Sequence, residues 1–117
     1  MRGRKLPKDA RLRRRREFLQ IQQRGRRLYA GEVLVLALEA SGRGPRIGIT
    51  VSSKVANAVG RNRVKRWVRE AFRAARGDLP PVDLVVIARR GAPEMGLAGA
   101  RRALEAARAA LAREARP

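Results

Sequence analysis

The spacing of apolar residues changes from irregular to helical to strand-like along this chain, and each change predicts an element. Residues 1–12 have no periodicity, contain Gly3 and Pro7 and are dense in cations, which predicts a disordered basic arm. From about Arg13 to Arg24 the spacing turns helical, with Phe18, Leu19 and Ile21 as a short apolar patch and Gly25 as its stop. Val33-Leu34-Val35-Leu36-Ala37-Leu38 is apolar on both faces, as an interior strand would be. Ser41-Gly42-Arg43-Gly44-Pro45 is turn chemistry. Arg46 to Val51 then alternates, with Ile47, Ile49 and Val51 on one face and Gly48 and Thr50 on the other. Over residues 60–76 a step of about 100° per residue gathers Val64, Trp67, Val68, Ala71, Phe72 and Ala75 into one apolar arc. Gly77 and Pro80-Pro81 close that helix, Leu84 to Ala88 reads as a further strand, and Leu97, Leu104 and Leu111 mark an Ala-rich final helix. The predicted order is helix, strand, strand, helix, strand, helix: an α+β or α/β sandwich around a small sheet.

Length and charge narrow the picture. With 117 residues the chain holds one core, so residues 13–117 are expected to form a single domain. Only 3% of residues are aromatic against 44% hydrophobic, so that core must be aliphatic. There are 29 Lys and Arg against 10 Asp and Glu, a formal charge of +19, which calls for an anionic partner. Nucleic acid leads. A membrane is the weaker alternative, because the longest apolar stretch, Val33 to Leu38, falls far short of the ~20 residues of a spanning helix. The absence of cysteine excludes disulfides and thiolate metal sites and agrees with a cytoplasmic location. The absence of histidine removes the commonest general base and metal ligand.

The face opposite the apolar arc carries Asn62, Lys65, Arg66, Arg69, Arg73 and Arg76. Lys65, Arg69 and Arg73 recur every four residues and so line up along the helix, where they can track a row of phosphates. A merely solvated face is the bland alternative, but such faces mix signs, and between Arg61 and Arg76 the sole acid is Glu70.

The stretch VSSKVANAVGRNRVKRWVREAFR, residues 51–73, closely resembles the signature of the bacterial ribonuclease P protein family. Its Arg-Asn-Arg core is Arg61-Asn62-Arg63, and the likeness extends to Glu17-Phe18, Gly25, Arg46-Ile47-Gly48 and Asp83 to Arg89, roughly residues 11–115 in all. The resemblance implies an α+β fold with a mostly four-stranded sheet and an unusual left-handed β-α-β crossover. It further implies a ribonucleoprotein in which the RNA cleaves the 5′ leader from precursor tRNA with Mg²⁺, while the protein, monomeric by itself, binds. Carried over by position, Arg61, Asn62, Arg63, Lys65, Arg66, Arg69 and Arg73 would contact the catalytic RNA. Arg14, Phe18, Gln22, Leu36, Thr50, Ser52 and Lys54 would form the leader cleft, between the first helix and the open sheet face.

The chain departs from the family pattern where aromatics are often found: Gln22 stands one turn after Phe18, and Val33 and Leu36 stand on the first apolar strand. The resemblance therefore implies a cleft that relies on Phe18 and cations for base contact. Phe18 itself fits either a cleft wall or core packing, Trp67 falls in the core arc, and Tyr29 takes no assignment. The run Arg13 to Arg16 fits a solubilising helix start or the rim of an RNA entrance. The ten acids form no motif along the sequence, so no catalytic or metal-binding residue is named for the protein itself. A ribosomal or other RNA-assembly protein and a DNA-compacting protein share the charge and are the rival readings; the 51–73 signature separates this chain from both.

Overall fold

A computed structural model describes residue 6 and residues 8–40 and 44–114. Its elements are helix α1 (Arg15–Arg24), strands β1 (Arg26–Ala30), β2 (Val33–Glu39) and β3 (Arg46–Thr50), helix α2 (Ala58–Ala75), strand β4 (Val82–Ala88) and helix α3 (Gly96–Glu114). The four strands form one mixed sheet in the order β1-β2-β4-β3. β1 and β4 run antiparallel to β2, while β3 and β4 are parallel neighbours joined through α2. This is the α+β architecture expected. β2, apolar on both faces, is indeed interior.

The residue pattern explains the two sides of the sheet. Val33, Val35, Ala37, Ile47, Leu84, Val86 and Ala88 point to one side and are buried with Val64, Val68, Ala71 and Phe72 of α2 and Ala100, Ala103, Leu104 and Ala107 of α3. The alternate residues point to the other side, where α1 alone contributes a helix: Ile21 packs on Leu36 and Val85, with Phe18, Leu34, Leu38 and Ile87 only partly covered. Small alanines on α3 let it lie close against α2, so an aliphatic core closes with one phenylalanine at its centre. Phe72 has no exposed surface.

Four details depart from the pattern reading. β1 was not foreseen, because its five residues, Arg26 to Ala30, alternate too briefly among arginines to show a strand period. Gly31, at φ 60°, makes the tight turn that folds it back on β2, pairing Ala30 with Val33. Leu19, expected in the apolar patch of α1, is 42% exposed because it falls on the helix side away from the sheet. Trp67 lies at the margin of the core and is only partly buried. The described part of the expected disordered arm is folded. Lys8–Ala10 form a turn of 3-10 helix, Leu6, Ala10 and Leu12 are buried, and Leu12 N–H donates to the Ile47 carbonyl at 2.9 Å. Three apolar residues among many cations are a weak signal by sequence, yet they cover the free edge of β3. Residues 1–5 and 7 of that arm lie outside the described residues.

Candidate nucleic-acid interface

α2 builds the first surface. Its start is fixed by Asn57, whose side-chain oxygen accepts from Gly60 N–H at 2.9 Å. With Val64, Val68, Ala71 and Phe72 buried, helical geometry leaves Asn62, Arg63, Arg66, Arg69 and Arg73 exposed on the outer side. Asn62, Arg63, Arg66 and Arg69 line a shallow hollow together with the exposed Val59. Two members of the expected docking set sit differently. Arg61 is partly buried and donates to the Ala56 carbonyl at 3.0 Å, so it also ties the helix to the preceding loop. Lys65 is partly buried on the flank towards β3.

That flank joins α2 to the second surface. Lys65 and Arg69 share a pocket of about 240 Å³ with Arg11, Arg13, Phe18 and Gly48 at the β3 edge. The Nε of Arg11 is buried there without a hydrogen-bond partner, the one such side-chain atom among the described residues. Sequence spacing had put the helix cations and Phe18 into separate groups. The fold wraps both around one edge.

The second surface is the α1 side of the sheet, which strand register divides into three rows. The third row, Leu38–Asp83–Arg46, is closed by an ionic pin. Arg46 donates to Asp83 through Nε (2.9 Å) and Nη2 (2.8 Å) and to Glu17 of α1 through Nη1 (2.9 Å). The Asp83 hydrogen bonds lead in raising the Arg46 pKa, against the cost of burial. At Glu17 partial burial opposes the charge, but the Arg46 hydrogen bond and charge, with help from Arg14, outweigh it and hold the carboxyl below its ordinary value. The second row, Leu36–Val85–Gly48, lies under Ile21 and Phe18. Gly48 is required there: a Cβ at this position would stand 2.4 Å from Phe18 Cζ and 3.3 Å from Leu12 Cβ.

The first row, Leu34–Ile87–Thr50, stays half-open. On α1, Glu17 and Gln22 fall on opposite flanks of the Phe18–Ile21 line. Because Glu17 reaches the third row, the flank with Gln22 overlooks the first. Ser52 and Lys54 continue from Thr50, both exposed, with the Lys54 N–H donating to Ser52 Oγ at 3.2 Å. Register and helical phase thus put Gln22, beside Phe18, and the Thr50, Ser52 and Lys54 segment around a partly exposed apolar row, a shallow trough on this side of the sheet. Arg14 is exposed at the α1 start. Leu36 does not line the trough: it is 1% exposed, covered by α1, and Leu34 one row along is the accessible residue. Phe18 packs on the second row and also lines the edge pocket.

Both surfaces are made of cations, amides, hydroxyls and apolar floor. Among the described residues no group of three or more Asp and Glu is placed to hold a metal ion. No helix among them is long and apolar enough to cross a membrane.

Residues 6–112 match the family model described as Ribonuclease P. The chain belongs to the ribonuclease P protein family. It is 45% identical over 103 residues to the ribonuclease P protein component of Desulfovibrio desulfuricans, covering 86% of this chain and 79% of that one. The RNase P protein of Staphylococcus aureus superposes with a TM-score of 0.77 at 30% identity, over 88% of this chain and 94% of its own. That of Thermotoga maritima gives 0.73 at 38% identity, over 81% and 91%. The chain is accordingly a tRNA-processing ribonuclease P subunit, the partner of ribonuclease P RNA.

Proposed function

We propose that this subunit binds and the RNA cuts. The exposed side of α2 grips the catalytic RNA through Arg63, Lys65, Arg66, Arg69 and Arg73, with Asn62 beside them. The trough between α1 and the first row of the sheet receives the single-stranded 5′ leader of precursor tRNA. Hydrolysis of the phosphodiester belongs to the RNA, with Mg²⁺ held by RNA oxygens; among the described residues of the protein no cluster of acids stands ready to take it. The protein alone is a cytoplasmic monomer.

The observation that supports this reading is the difference in character between two surfaces that meet at the β3 edge: a row of exposed cations on α2, and a partly open apolar row on the α1 side of the sheet. Duplex or folded RNA presents phosphates to the former, and unstacked bases suit the latter. Reconstitution with ribonuclease P RNA tests it. The protein alone leaves precursor tRNA uncut at any Mg²⁺ concentration; added to the RNA, it lowers the Mg²⁺ requirement and tightens precursor over mature tRNA. Cleavage without RNA overturns the reading. Docking should also weaken with salt. Five cations at about −0.7 to −0.9 each give a log–log slope of about −3.5 to −4.5, and a slope shallower than about −2 removes the α2 face from the account.

A further inference from the structure

At 67%, Tyr29 is the most exposed large apolar side chain among the described residues. Register puts it in the first row. Tyr29 stands opposite Leu34, Leu34 opposite Ile87, and Ile87 opposite Thr50, so the row crosses all four strands. At roughly 4.8 Å per strand step, the Tyr29 backbone lies about 14 Å from that of Thr50. The chain has four aromatic residues; Trp67 and Phe72 belong to α2, which leaves Phe18 and Tyr29 as the aromatics on the open side. An aromatic ring contributes to folding through burial, and this one has little.

Its surroundings are organised for another use. The Arg89 guanidinium carbon lies 5.5 Å from the ring centroid, within cation–π range. Arg89 is held there by its backbone, whose N–H donates to the Glu32 carbonyl at 2.9 Å in the turn that follows β1. Arg27, two residues before Tyr29 and so on the same face of β1, is exposed. A mostly solvent-facing ring, backed by Arg89 and with Arg27 exposed on the same strand face, is a site for one unstacked base with its phosphates. Paired RNA hides its base faces in the stack, so the ring selects a single strand.

We propose that Tyr29, oriented by Arg89, stacks a base of the 5′ leader at the far end of the trough from Thr50. The inference rests on the leader reading above and extends it to a second aromatic contact on the opposite edge of the sheet from Phe18. A leader long enough to cross the first row reaches Tyr29, and a short one does not.

The test uses the reconstituted holoenzyme with wild type, Tyr29→Leu, Tyr29→Phe and Tyr29→Thr. Dissociation constants are measured for mature tRNA, a precursor with a single-nucleotide leader and one with a long leader. Tyr29→Leu and Tyr29→Thr should lose about five-fold or more on the long leader, and nothing on the other two. Tyr29→Phe should match wild type. A 2-aminopurine scanned along the leader should be quenched at one position with Tyr or Phe, and brighten with Leu or Thr. Unchanged long-leader affinity in both Leu and Thr variants overturns the inference, as does an equal loss on mature tRNA, which would put Tyr29 against another RNA surface. If wild type itself binds mature and precursor tRNA alike, the leader reading falls and this inference with it.

Discussion

The two sides of the sheet are made from the same strands, one residue out of phase, and they have opposite fates. On the side of α2 and α3, Val33, Val35, Leu84 and Val86 are completely buried. On the α1 side a ten-residue helix covers one row well, pins a second through Arg46 and leaves Leu34, Ile87 and Thr50 partly exposed. A small domain needs one dry face to stay folded; it can leave the other unfinished if something else completes it. The difference teaches where stability and binding separate: substitutions on the closed side should be read by melting, and those on the open side by RNA affinity.

The largest expected effect is on the closed side. Phe72→Ala should cost about 3–5 kcal/mol, seen as a lowered denaturation midpoint, because the ring is wholly enclosed by both helices and the sheet. Phe18→Ala, on the open side, should cost about 1–2 kcal/mol, because its ring is only partly covered. Its chief effect should fall on the preference for precursor over mature tRNA. If the two variants melt alike, the sides are not energetically distinct.

Gly48→Ala tests the packing of Phe18 on the open side. The added methyl would meet Phe18 Cζ at 2.4 Å and Cε1 at 2.7 Å, so the ring must move. We expect a stability loss of about 1–3 kcal/mol with weakened precursor preference, and docking to ribonuclease P RNA nearly intact. Docking that weakens as much as leader preference would mean that the edge pocket shared by Phe18, Lys65 and Arg69 acts as one surface with α2.

The closed side was far more legible in the sequence than the open one. Val33 to Leu38, Ile47 to Val51 and the Val64-Val68-Phe72 series announce their partners by period alone, because burial demands regular apolar spacing. The open side is assembled from residues whose meaning depends on register. Leu36 and Leu34 look alike along the strand, and which of them α1 covers is decided by where Ile21 lands. Tyr29 takes its position from the Gly31 turn and the pairing of β1, a strand hidden by its arginines. Helical spacing supplied the cations of α2, and family resemblance gave Phe18 its cleft reading. It said nothing of the Leu6, Ala10 and Leu12 contacts, which three apolar residues in a basic tract do not advertise.

The smallest expected effect concerns the pin that keeps α1 on the sheet. Glu17 bonds Arg46 at 2.9 Å and its pKa is held below the ordinary 4.5. A carboxyl with a lowered folded-state value contributes stability above about pH 4.5, and that contribution is lost as the pH falls through the lowered value. Glu17→Gln should therefore cost no more than about 1 kcal/mol at neutral pH, since the pair is partly solvated. The gap between the two proteins should close as melting is repeated down through the carboxylate range. Amide hydrogen exchange at neutral pH locates the effect: α1 should exchange faster in Glu17→Gln while α2 and α3 do not change. A gap that persists undiminished in acid would mean that Glu17 acts by packing and not by charge. Faster exchange in α2 would mean that the two sides of the sheet are coupled after all.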